Sequence, residues 1–227
     1  MRTNILARML VILGIYFGLR YFGGYWGKLA IYPITQFVTF LHEFGHALGA
    51  IITGGEVLNL QVSQDGSGFT RTAGGSRAIV LMGGYLGSAI LGNLLFFVGA
   101  KMEKFAEWVL YLVSAMMIFS GFFWFNSIYT TGLLSAFAVF LFVIAAKTNW
   151  DSEILMFLGL ASILYIIEDF NVGPRSDLEK YAELLVFIPA NVWMYIWLVV
   201  AVLLTGLNLR FIFRKGKVEE EVTGPYA

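Results

Sequence analysis

The sequence contains no cysteine. Disulfides, thiolate metal sites and cysteine nucleophiles are excluded, so a bound metal has to be held by histidine and carboxylate. Histidine is itself scarce, with 2 in 227 residues. Charge is scarce too: Asp, Glu, Lys and Arg make up 13% of the chain, against about 25% in an ordinary soluble domain. The 15 basic and 15 acidic residues cancel and the basic ones are scattered, so no nucleic-acid partner is expected.

What fills the chain is apolar, 59% of it. A bilayer core of roughly 30 Å takes about 20 apolar residues per helix, and most of the sequence divides into such stretches. The expected fold is therefore an all-α polytopic membrane protein with about seven transmembrane helices. Arg2 and Arg8 before an apolar run suggest a signal peptide, but the run continues to about Tyr25 with no small-residue cleavage site, so it is assigned as the first span. The second covers about 28–52, and the others lie near 78–99, 105–125, 128–146, 152–168 and 184–209. Gly84, Ser88 and Gly92 recur every four positions in the third, a stripe that permits close helix packing.

After the second span the period changes. Leu58, Leu60 and Val62 alternate with Asn59, Gln61 and Ser63 before a turn at Asp65-Gly66-Ser67-Gly68, which predicts a short β-hairpin over 56–73. Gly74-Gly75 then forms a hinge. A single membrane domain over 1–209 is expected, followed by a charged, mobile tail over 210–227.

Both histidines fall in one motif, His42-Glu43-Phe44-Gly45-His46, in the second span. Positions i and i+4 share a helix face, so both imidazoles can reach one Zn²⁺ while Glu43 sits beside the metal-bound water. The metal lowers the pKa of that water toward about 7, and the carboxylate accepts its proton and delivers it to the leaving amine. Chance placement of two histidines and a glutamate in this spacing is about one in two thousand, given the composition. An ionisable residue inside a span also costs at least about 2.5 kcal/mol, and a metal explains three together.

This motif in a membrane helix, followed by the hairpin and by Gly83-Gly84-Tyr85-Leu86-Gly87-Ser88-Ala89-Ile90-Leu91-Gly92-Asn93, resembles the site-2 protease family of intramembrane zinc metalloproteases. The likeness is nearest to the small bacterial branch without a PDZ domain. It covers about residues 35–95 and recurs near 169–197. It implies that His42 and His46 are zinc ligands, that Glu43 is the catalytic acid/base and that a later Asp completes the site. It further implies a multi-pass protein of a prokaryotic cell membrane that cleaves membrane-protein substrates within or near their spans. The family's usual Leu-Asp-Gly motif is absent. Acidic candidates for the third ligand are Glu168, Asp169 and Asp177, of which Asp177 is preferred because Ser176-Asp177 opens a helix after Gly173-Pro174, and Asp169 is the alternative. Asn93 resembles a position that orients substrate, although small-residue packing explains its segment nearly as well.

Peptide hydrolysis in a membrane needs water and an extended substrate, so the hairpin could provide a polar opening and an exposed strand edge for substrate. A plain helix connector is the alternative. Two other functions compete. An inert membrane scaffold of the same fold has no need of Glu43, and a metal transporter would need ionisable residues on several spans, which spans three to five nearly lack.

Overall fold

The computed structural model describes residues 4–214 apart from Asn171 and Arg175, and of Asp169 the backbone alone. Of the tail expected over 210–227, residues 210–213 instead continue α9, and 215–227 lie outside the described residues.

Among the described residues, nine α-helices and one hairpin follow in the order α1 (Ile5–Phe17, extended by a π-turn over Gly18–Phe22), α2 (Gly24–Ile52), β1 (Glu56–Val62), β2 (Gly68–Ala73), α3 (Arg77–Met82, joined through a π-turn at Gly83–Gly87 to α4, Ser88–Lys101), α5 (Ala106–Phe123), α6 (Ile128–Lys147), α7 (Asp151–Asp169), α8 (Asp177–Leu184) and α9 (Ala190–Phe213). The last span, expected from 184, starts at Ala190. Pro189 disfavours helix at the residue before it, and residues 185–189 form a non-helical connection from α8 to α9.

Among the described residues, five helices are long and apolar enough to cross a membrane: Ile5–Phe22, Arg77–Lys101, Glu103–Phe123, Ile128–Lys147 and Ala190–Phe213. The chain is an integral membrane protein. α7 carries Asp151, Glu153, Glu168 and Asp169 at its ends and buries Leu155, Met156, Ala161 and Ile163 at the centre of the bundle. It packs closely on α4, where a Cβ on Gly159 would stand 2.7 Å from the Gly92 carbonyl oxygen and one on Gly99 2.7 Å from that of Ser152. Small residues are the means by which helices approach when lipid and side chain are equally apolar.

The two ends of the bundle are fixed by ion pairs. Arg8 of α1 reaches Glu103 and, at 2.9 Å, Glu153 at the start of α7. Arg20 reaches Glu168 at the end of α7, at 3.3 Å. α9 runs parallel to α4, with Trp197 beside Tyr85 and Asn208 beside Asn93, so it finishes at the end where α1 begins. About seven spans were expected, and α2 and α7 are the two that are not among the five helices long and apolar enough to cross.

The hairpin is antiparallel, with Glu56 opposite Ala73 and Val62 opposite Gly68, and carries one irregularity between Val57 and Asn59. Leu60 and Val62 of β1 are fully buried in the main core, against Phe37, Phe40 and Trp124. The outer edge of β1 is occupied: Leu60 N–H donates to the Trp124 carbonyl (2.9 Å) and Val62 N–H to Thr130 Oγ1 (3.3 Å). On the turn side, Tyr32 and Gln36 donate to the Gln64 and Ser63 carbonyls, and Thr39 to that of Gly66, at 2.7–3.1 Å. Tyr32, Gln36 and Thr39 thus form one stripe of α2 gripping the turn.

Candidate metal centre

Three side-chain atoms converge on one point. His42 Nε2 and His46 Nε2 are 3.2 Å apart, and Asp177 Oδ2 lies 3.0 Å from the first and 3.1 Å from the second. Zinc bonds of about 2.0–2.1 Å in a tetrahedron place ligand atoms about 3.3 Å apart, so the triangle is close to one face of such a site. Two imidazole nitrogens and a carboxylate oxygen are also a donor set suited to Zn²⁺, with a fourth position left open. The residues present fit the ion.

Each ligand atom is aimed by its own segment. One helical turn stacks His42 and His46 on a face of α2. His46 Nδ1–H donates to the Val80 carbonyl at 2.6 Å, which fixes the ring and leaves Nε2 with its lone pair toward the centre. Asp177 is the first residue of α8, whose N-cap Ser176 accepts from Glu179 N–H at 3.2 Å. Leu178 and Tyr181 are buried on the same helix, anchoring it to Trp197. Burial opposes the Asp177 charge, yet the two imidazoles beside it outweigh this and hold its carboxyl well below the usual range.

Gly84 forms the wall of the site. A Cβ there would stand 2.5 Å from His42 Nε2 and 2.6 Å from His46 Nε2, in space the ligand atoms need. Gly83 and Gly45 bring the π-turn and α2 together backbone to backbone, where a Cβ on either would overlap the other's carbonyl. Gly-rich sequence with weak helix propensity permits the wider turn, a local irregularity frequent at functional sites.

Glu43 is buried on the adjacent face of α2, and its Oε2 accepts from Thr70 Oγ1 of β2 at 2.8 Å. The same hydroxyl stands 2.9 Å from the Glu43 carbonyl, so its one proton serves either oxygen. All four residues line a cavity of about 760 Å³, whose other walls are β2, its turn and α3.

Of the other acids considered, Glu168 is engaged by Arg20 and by Tyr21 Oη (3.0 Å), and the Asp169 side chain lies outside the described residues. Asn93 stands apart from the cavity lining. Its amide donates to the Ala89 carbonyl (2.9 Å) and Thr205 Oγ1 (3.1 Å), and its Oδ1 accepts from Asn208 (3.0 Å). The contacts of Thr70 and the Val80 carbonyl were not readable beforehand, since each depends on a long-range approach. The Gly83-Gly84 doublet was the one local signal of close contact.

The family profile described as Peptidase M50B-like matches residues 15–207. No curated protein and no solved structure matches the chain.

Proposed function

The chain belongs to the site-2 protease family of membrane-embedded metallopeptidases, and from that premise we propose that it is a zinc-dependent intramembrane endopeptidase. It hydrolyses peptide bonds within or near the spans of other membrane proteins, as in regulated intramembrane proteolysis. The observation that supports this is the convergence of His42, His46 and Asp177 beside a buried Glu43 in one cavity.

His42, His46 and Asp177 hold the ion. When bound, Zn²⁺ supplies the Lewis acidity that makes water a nucleophile near neutral pH and polarises the scissile carbonyl. Glu43 takes the proton of the attacking water at one carboxylate oxygen and returns it to the leaving nitrogen, with Thr70 orienting the carboxylate through Oε2. The outer edge of β1 is already bonded, so substrate pairs with β2, the strand that borders the cavity. A substrate helix enters sideways and unwinds, because an intact helix shields its carbonyls in internal hydrogen bonds.

The test is co-reconstitution with single-span substrates, comparing the parent with Glu43→Gln. Gly, Pro or Asn placed in the substrate span should speed cleavage. Zinc binding with no Glu43-dependent cleavage, even of weakened helices, would make the chain an inert scaffold of the same fold.

A further inference from the structure

Beyond the metal centre, the charged residues lining the cavity are segregated. Asp65 sits in the hairpin turn, while Arg77 and Lys180 sit on α3 and α8. Arg77 is one helical turn, about 4.5 Å along the axis, before Val80, the residue that aims His46. Lys180 stands in the same relation to Asp177, with its Nζ 3.6 Å from Oδ1. α3 and α8 pack together, and Tyr181 Oη donates to Met82 Sδ at 3.2 Å between them. The two cations therefore belong to one wall, at the hinge end of β2. Arg77 has no acidic partner among the described residues. Arg71, on β2 itself, is exposed and absent from the lining, so among the described residues the lysine and arginine lining the cavity are those of α3 and α8.

We propose that Arg77 and Lys180 form a specificity subsite for an acidic side chain of the substrate. This rests on the protease reading and names the substrate class it takes. Thr70 marks the catalytic level because it touches Glu43, and Ala73 at the end of β2 is three residues on, about 10 Å in a strand. An arginine reaching back from beyond the hinge meets a residue about three to five positions from the scissile bond. A segment added antiparallel to β2, the commoner pairing, has its N-terminal side toward Arg77. The preferred substrate thus carries Asp or Glu on the N-terminal side of the cleaved bond, and an Asp near Asp65, on the other side, is disfavoured.

The decisive measurement separates recognition from chemistry. Full-length Glu43→Gln protein, zinc-loaded in neutral-lipid vesicles, is titrated with fluorescent single-span peptides in which one Asp is moved along both sides of the unwinding segment. The same peptides are then digested with the parent. Asp at one N-terminal position should tighten binding about tenfold over Lys, as expected of a charged hydrogen bond. Arg77→Glu should invert that preference, and the Lys peptide should then bind better than the Asp peptide, with zinc content unchanged. No preference at any position, a preference confined to the C-terminal side, or equal weakening of every peptide by Arg77→Glu overturns the subsite. The last result would make Arg77 a lipid-headgroup anchor. Charge-dependent binding without cleavage by the parent would sink the protease reading while leaving the subsite standing.

Discussion

His46 donates from Nδ1 to the Val80 carbonyl at 2.6 Å, so the proposed ligand and the residue that aims it come from segments 34 positions apart. The centre therefore exists only when α2 and α3 are packed. Zinc should bind at one ion per chain. His42→Ala or His46→Ala should abolish binding, Asp177→Asn should weaken it, and Glu43→Gln should retain it. Metal analysis of purified protein decides this, and a full zinc complement in the double histidine variant would remove the site.

Gly84→Ala should cost the metal as completely as losing a histidine, because its Cβ would stand 2.5–2.6 Å from both ligand nitrogens. Gly132→Ala, which meets nothing within 4 Å, is the control and should bind zinc normally. Equal zinc content in the two variants would show that the π-turn moves aside.

The histidine pair and Glu43 were legible because helix period alone relates positions 42, 43 and 46. The hairpin was legible because alternation at 58–63 and the turn at 65–68 are local signals. Asp177 was only ranked, since nothing local tells which acid near 168–177 folds back 131 residues to His46. Hydropathy marks apolar stretches and does not tell a span from a helix buried in the bundle, which is why α2 and α7 were counted beside the five helices long and apolar enough to cross.

Asn93 was expected to orient substrate from its place in the glycine-rich segment, yet its amide is bonded to Thr205 and Asn208. Asn93→Ala should lower thermal stability through loosened α4–α9 packing, by about 0.6–1.7 kcal/mol per hydrogen bond in a membrane. Zinc content and KM should be unchanged. A raised KM at normal stability would restore the substrate role.

Acidification should release the metal through the imidazoles and not through Asp177. A carboxyl whose folded pKa is depressed contributes stability above its unfolded value, about 3.9, and loses it only as pH falls through the folded value. Asp177 therefore stays ionised far below neutrality, while the two rings must be neutral to ligate. Zinc affinity should fall as pH drops from about 8 to 5, because protons compete with the metal for imidazole nitrogen. An affinity that stays constant over that range would remove the histidines from the site.

Thr70 links β2, the proposed substrate strand, to Glu43, the proposed proton-transfer group. Its hydroxyl lies 2.8 Å from Glu43 Oε2, and it stands on β2 at the cavity. Pairing of an extended substrate with β2 would hold that strand, and through Thr70 the carboxylate, in the orientation that takes a proton from water. Thr70→Val keeps the shape and removes the donor, so kcat should fall about tenfold, the size of one lost hydrogen bond to a charged group, with zinc retained and KM little changed. Thr70→Ser keeps the donor and should restore most of kcat. A mere packing role would behave oppositely: Ser, having lost the methyl group, would be the worse variant and Val nearly normal. Steady-state rates for the two variants on one peptide, with metal content measured in parallel, separate the alternatives.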